Sequence, residues 1–467
     1  MKRLIILTIA GSQLVACAPF VDIVKPEVPV PANWSPEYPW RQGKPSDDAS
    51  KGAWWTLFGD VELDRLEHLA LSQNPGLQIA AARLEQAKAQ ASVASAGLYP
   101  QLNLAASAER YRTSENRPKA SPTSQPISIS QNDFTLGLAV RYEADFSGRV
   151  RSGVHAAEAS VEQAKADVEN ARLLLSAELA SDYYALCELD AELEVVRESI
   201  ALQRKALDFV STRHDLGAAT GLDLAQQQAQ VDATITQVDM LERQRSQLEH
   251  AIATLTGTPA PGFKIGPRPL ADKPPDIPVQ LPSDILQRRP DVASAERAMA
   301  AANAQIGVAR AAFYPSVILS PMAGLESATL SSLLNASSLM WSFGISAVQT
   351  LFDAGRNHSN LDFAQVGYRG AVESYRQTVL TAMQEVQDGL SGISILGRAA
   401  GNTANAVQSS IRVLELARAR YEGGIGTHLD VITAQQSLLS SQRQAVQVAG
   451  QQFQISVFLV KAVGGSW

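Results

Sequence analysis

The stretch Ala309–Leu319, ARAAFYPSVIL, is echoed by Ala94–Leu104, ASAGLYPQLNL. Each passes from an alanine-rich segment through Tyr-Pro into alternating apolar residues. Proline ends a helix and is tolerated at the first position of a strand, so Pro100 and Pro315 mark the same helix-to-strand junction written twice. Tyr99 and Tyr314 lie 215 residues apart, which calls for a repeated half of the chain rather than a local motif.

Working outward, Pro75 in QNPGLQIAAARLEQAKAQ and Pro290 in RRPDVASAERAMAAANAQ keep the 215-residue offset. Beyond the junction, Gly148 answers Gly355, Arg213 answers Arg420 and Asp223 answers Asp430, all at 207 residues. The change of offset falls between the Tyr-Pro and Gly-Arg pairs, which places an insertion in an exposed loop of the first half. The helical register repeats too. Val150, Val154, Ala157, Val161, Ala164, Val168, Ala171 and Leu175 follow the 4-3 spacing of a left-handed coiled coil, and the seam recurs 207 residues on, from Leu361 to Ala382. The pattern from Val150 to Thr212 predicts a helix of roughly 90 Å at 1.5 Å per residue, too long for a compact domain.

Between junction and seam the period changes to two. Phe134, Leu136, Leu138, Val140 and Tyr142 alternate with Thr135, Gly137, Ala139, Arg141 and Glu143, a face directed at lipid backed by a face directed at water. Leu102, Leu104, Ala106 and Ala108 alternate in the same way, and Trp341, Phe343 and Ile345 keep one face apolar in a noisier second copy. Four strands cannot close a barrel, and an open sheet edge is not tolerated in lipid, where unpaired backbone groups find no water. Bacterial barrels need about eight strands or more, so several copies of the chain must share one.

Lys2 and Arg3, the apolar run Leu4–Ala10 and LVAC ending at Cys17 predict a secretory signal. LVAC looks like a lipoprotein signal with Cys17 as the lipidated first residue, the alternative being a plain signal with an incidental cysteine; Ala18 resembles lipoproteins sent to the outer membrane. Removal of Lys2 and Arg3 takes the formal charge from −7 to −9, and no basic block remains to track nucleic acid. Only Cys187 would accompany Cys17, so no intramolecular disulfide is expected, and Cys187 reads as a buried small hydrophobe. The six histidines show no metal-ligand spacing, and no phosphate loop or nucleophile elbow is present. The expectation is no enzyme, no cofactor and no metal site.

GAWWTLFGDVELDRL, RRPDVASAERAMAAANAQIGVARAAFYPSVIL, YEGGIGTHLDVITAQQSLL and KAVGGSW together resemble the outer-membrane efflux lipoproteins, TolC-like channel tunnels of tripartite drug pumps. The resemblance covers nearly the whole chain from Cys17. It implies a mixed α and transmembrane β fold: a homotrimer with four strands per chain in one twelve-stranded barrel, continuing into a long α-helical coiled-coil tunnel across the periplasm. It further implies a periplasmic adaptor and an inner-membrane transporter of the RND type as partners, outer-membrane lipid around the barrel, and passive export of small molecules such as drugs. Two alternatives stay open: a duct of the same build for type I protein secretion or metal efflux, and a lipid-anchored coiled-coil scaffold without a pore.

The expected organisation is a signal peptide at 1–16, a lipidated Pro-rich arm at 17–58, a first repeat at 59–256, a Pro-rich equatorial linker at 257–283 and a second repeat at 284–467. The strand hairpins occupy 99–147 and 314–353, with Tyr99, Pro100, Tyr314 and Pro315 at the junction of barrel and tunnel, where a tyrosine suits a membrane interface. The tips, 214–223 and 421–430, form the periplasmic mouth. Thr220 with Asp223 and Thr427 with Asp430 have capping-box spacing at the start of the returning helices. The same region has a second reading as a gate, since by resemblance Tyr421 and Asp223 match positions whose bonds hold such a mouth closed. Gly426 departs from the secretion-type members, which carry Arg there. Asp215 and Glu422 would add a ring of carboxylates favouring cations, or are a solvated loop.

Overall fold

The computed structural model describes residues 53–116, 128–271, 273–277 and 288–465. The expected signal peptide, Cys17 and the arm up to residue 52 lie outside the described residues, as do parts of the linker and of the first hairpin loop. In chain order the elements are a 3-10 turn (Trp54–Phe58), α1 (Val61–Gln73), α2 (Pro75–Ala96), β1 (Gln101–Arg112), β2 (Ser130–Ala144), α3 (Arg149–Asp215), α4 (Gly221–Leu255), α5 (Pro290–Ala311), β3 (Ser316–Ser327), β4 (Leu339–Val348), α6 (Arg356–Glu422) and α7 (His428–Ala462). Among the described residues no helix is long and apolar enough to cross a membrane.

Contacts divide the chain into two units, one containing Glu85–Gln163 and Glu296–Ser374, the other 53–84, Ala164–Ala295 and Tyr375–Trp467. The first unit is built on a sheet of order β1-β2-β3-β4, antiparallel throughout. Both helix-to-strand junctions close with three consecutive i→i−3 bonds, Gly97, Leu98 and Tyr99 in one and Ala312, Phe313 and Tyr314 in the other. Pro100 and Pro315 lack the N–H that would extend the turn, so the chain leaves the helix there. The register puts Leu104 beside Leu138 and Ala323 beside Trp341, so Leu102, Leu104, Leu138, Leu319, Leu325, Trp341 and Phe343 share one face. The β2–β3 ladder skips from Ala139↔Met322 to Tyr142↔Leu319, at Pro321, which has no amide hydrogen to donate.

The second unit is helical. Trp54, Trp55, Leu63, Leu66 and Ala70 pack into one core with Leu179, Tyr183 and Leu186 of α3, Ile252 of α4, and Phe453, Val457 and Val460 of α7. The turn Trp54–Phe58, which the sequence reading assigned to the Pro-rich arm, therefore belongs to this core, because its two tryptophans are buried. Asp60 caps α1, accepting from the Glu62 and Leu63 amides at 2.8 and 3.2 Å, and its other oxygen accepts the Tyr183 hydroxyl at 2.7 Å. Below this core Leu193, Val196 and Ile200 of α3 meet Leu241 of α4 and Leu439 of α7.

The returning helices end in matching ways. The last carbonyl of α4, Leu255, accepts Asn74 Nδ2 at 2.8 Å, and that of α7, Ala462, accepts Arg289 Nη1 at 2.8 Å. Gly257 and Gly464 follow them at φ +71° and +91°, the left-handed turn that completes a helix C-terminus. Arg289 also binds Asp291 and Glu385, both at 2.7 Å, so a fully paired guanidinium fastens α5 to α6 and α7.

Candidate functional site

Two features stand out as sites, the apolar face of the sheet and the paired tips of the long helices. On the sheet, Leu102 and Leu104 of β1, Leu138 of β2, and Leu339, Trp341, Phe343 and Ile345 of β4 lie on the same face and are exposed, Leu104 to 71% and Trp341 to 77%. The reverse face carries Gln101, Asn103, Ser107, Thr135, Ser320, Ser342 and Ser346. A continuous greasy surface backed by a polar one suits a sheet with lipid on one side and water on the other. The outer strands β1 and β4 each leave one edge of backbone groups unpaired within the sheet. Tyr99 and Tyr314 stand exposed where strands meet helices, next to Pro100 and Pro315.

At the tips, α3 and α6 end alike. Ala218 N–H donates to Arg213 O at 2.7 Å and Gly217 N–H to His214 O at 2.9 Å; Ile425 N–H donates to Arg420 O at 3.0 Å and Gly424 N–H to Tyr421 O at 3.1 Å. This is the Schellman pattern, with Gly217 and Gly424 at φ +73° and +74°. Gly426 packs against α6, where a Cβ would come within 3.1 Å of Arg420 Cβ. The chain re-enters helix through two capping boxes. Asp223 N–H donates to Thr220 Oγ1 at 3.2 Å while Thr220 N–H donates back to Asp223 Oδ2 at 2.9 Å; Thr427 and Asp430 repeat this at 3.3 and 3.0 Å.

The tips meet around Tyr421. The Arg213 guanidinium carbon lies 5.0 Å from its ring centroid, within cation–π range, and the His428 ring lies 5.1 Å away on centroids. His428 is buried, and its Nε2 bonds Gln227 Oε1 at 3.1 Å. The Asp223 carboxylate is engaged by Thr220, whose hydroxyl adds a bond of 2.8 Å, so within one chain the ring of Tyr421 is held by Arg213 and His428. Asp215 and Glu422 project outward, the former with His214 Nδ1 3.7 Å from its carboxylate.

The electrostatics follow this packing. Burial lowers the His428 pKa, and the Asp223 charge only partly offsets it. Burial would raise the Asp223 pKa, but the backbone and hydroxyl bonds from Thr220 outweigh that, with His428 and Arg213 helping, and the carboxyl sits below its usual value. Burial raises the Tyr421 phenol against the pull of Arg213. Asp430 is held low by its bonds from Thr427. Arg213, Gln227 and His428 are tip residues that the sequence reading missed. They come from three different helices, and only the register of the capping boxes, which places His428 directly after Thr427, points toward one of them. Among the described residues no group of three or more His, Cys, Asp or Glu side chains is placed to hold a metal.

The outer membrane efflux protein family matches residues 66–258 and 281–465. The chain belongs to that family. It is 32% identical over 469 residues to the toluene efflux pump outer membrane protein TtgC of Pseudomonas putida, covering 100% of this chain and 96% of that protein. It is also 32% identical to the pyoverdine export outer membrane protein OpmQ of Pseudomonas aeruginosa, covering 90% of this chain and 89% of OpmQ. Among solved structures it is similar to the CmeC outer membrane channel of Campylobacter jejuni, with a TM-score of 0.89, 25% identity and coverage of 96% of this chain and 95% of CmeC. The efflux protein described here is accordingly an outer-membrane component of a multi-component efflux pump. Its fold is that of the family, mostly helical with a small antiparallel sheet, and the family is one of ducts rather than enzymes.

Proposed function

We propose that three copies of this efflux protein pool their sheets into one twelve-stranded barrel, and that the long helices continue it as a tunnel across the periplasm. The observation that carries this is the four-stranded sheet, apolar on one face and unpaired along β1 and β4. In lipid each unpaired edge costs several kcal/mol per backbone group, and pairing β4 of one copy with β1 of the next removes both edges at once. The halves of the chain are an internal repeat, a reading supported by the 207- and 215-residue offsets, the twin Schellman turns and the twin caps on Leu255 and Ala462.

The duct is passive. A periplasmic adaptor and an inner-membrane transporter of the RND type drive it, and Cys17 carries a lipid anchor in the outer membrane. The tips are its periplasmic gate, with Tyr421, Asp223 and Asp430 holding the closed form, Thr220 and Thr427 capping the returning helices, and Asp215 and Glu422 lining the mouth. Its cargo is small organic molecules, as the toluene and pyoverdine named for TtgC and OpmQ suggest. Purified mature protein should run at three times its single-chain mass in native mass spectrometry and pass ions across a planar bilayer; a stable monomer without current refutes the proposal. An unchanged open probability after Tyr421→Ala with Asp223→Ala removes the gate.

A further inference from the structure

The amide of Gln227 is oriented by its own neighbours. Its Nε2 donates to the Gln203 carbonyl at 3.1 Å, which leaves Oε1 as the atom presented to His428. An amide oxygen only accepts, so His428 Nε2 carries the proton and Nδ1 is a bare lone pair. That Nδ1 is buried and has no hydrogen-bond partner in the protein, on a residue 3% exposed. The neutral ring is thereby wedged between Gln227 of α4 and Tyr421 of α6.

We infer that His428 is a positioning residue of the tip, a proton-sensitive latch whose neutral ring seats Tyr421 and whose protonation releases it. The inference rests on the reading of the tips as a gate. A second proton would have to sit on Nδ1, creating a buried imidazolium whose new N–H meets no acceptor. The charged and titratable groups around it are Arg213 of α3, Asp223 of α4, Tyr421 of α6 and Asp430 on its own helix. Arg213, on the Tyr421 ring, is a cation and offers no acceptor. Of the carboxylates, Asp223 favours it at a distance but is committed to Thr220, and Asp430 is committed to Thr427. Once the tip separates, the ring is hydrated and binds its proton near the ordinary value of about 6.5.

The sign follows from this difference. Burial keeps the seated ring's proton affinity below that of the released ring, so seating is at full strength above about pH 6.5 and weakens as pH falls through the seated value. Within that window the balance shifts toward the released tip by up to about tenfold per pH unit for each tip. A ring of the same shape that cannot titrate keeps the packing and loses the pH response.

The test is single-channel recording of the full-length protein in planar bilayers from pH 7.5 to 5.0, comparing wild type, His428→Phe and His428→Gln. Wild-type open probability should rise several-fold as pH falls, while both variants stay flat. Equal slopes in the three proteins, or a flat wild type, overturn the latch. Tyr421→Ala with Asp223→Ala, recorded at pH 7.5, separates the two ideas. If it raises open probability while the slopes coincide, the gate stands and the latch falls; if it changes nothing, the gate fails and takes the latch with it.

Discussion

Replacing Glu67 by Gln should stabilise this efflux protein, and by more as pH rises. The Glu67 side chain of α1 is fully buried, and neither carboxylate oxygen has a hydrogen-bond partner in the protein. Ser176 Oγ lies near enough to moderate the burial without reaching hydrogen-bond geometry, and Asp64, one turn earlier, adds repulsion. Burial is the dominant effect and pushes the carboxyl from 4.5 up to about 9, so the folded protein holds it protonated at neutral pH. The unfolded chain releases that proton near pH 4.5. Unfolding therefore liberates a proton throughout the interval, and the stability present below pH 4.5 is lost progressively until about pH 9. At about 1.4 kcal/mol per pH unit, the wild type has lost roughly 3 kcal/mol by pH 7. Gln keeps the shape and has no proton to lose. Denaturant titrations at pH 5, 7 and 8.5 should show the advantage of Glu67→Gln widening by about 1.4 kcal/mol per unit. Asp182 and Glu188, raised by burial to about 6 and about 7, contribute equally to both proteins and cancel in the difference. An advantage independent of pH, or a variant less stable at pH 8.5, refutes the reasoning.

Arg289→Ala removes the bonds to Asp291, Glu385 and the Ala462 carbonyl but leaves Glu385 paired with Lys461 at 3.0 Å, a loss of about 2–3 kcal/mol, whereas Asn74→Ala removes one neutral bond to Leu255 worth about 1 kcal/mol. Equal losses in denaturant titration would contradict the distinction. Gly324→Ala would set a Cβ 2.5 Å from Gly137 Cα and Leu136 O, forcing β2 and β3 apart at about 1–3 kcal/mol. Gly370→Ala meets nothing within 4 Å and serves as the control, and the fraction of heat-resistant assembled protein on gels should fall in the first variant alone. Asp215→Asn with Glu422→Gln should cut the cation-over-anion permeability ratio severalfold in bilayers, and an unchanged reversal potential would make those residues solvated loop and nothing more.

What was legible in the sequence is what local hydrogen bonding and side-chain period encode. Pro100 and Pro315 mark strand starts because the missing N–H acts on the residues beside it. Strand β2 reads cleanly because Phe134 to Tyr142 alternate without a break. Strand β3 does not, since Ile318 and Met322 put large apolar side chains on the polar face while Pro321 and Ala323 weaken the greasy one. Its face is decided by register, which aligns Leu319 with Ile345, and Leu325 with Leu339. The same division runs through the tips. Capping boxes span three residues and can be found by spacing, but His428 remains one of six scattered histidines until α4 brings Gln227 and α6 brings Tyr421 beside it. The caps on α4 and α7 make the point from the other side. Asn74 and Arg289, each directly before the proline that opens the next helix, perform one task on Leu255 and Ala462, yet an amide and a guanidinium look unrelated as letters. Repeated geometry survives where repeated identity has gone, because a helix's terminal carbonyl asks only for a donor within reach, and either side chain supplies it.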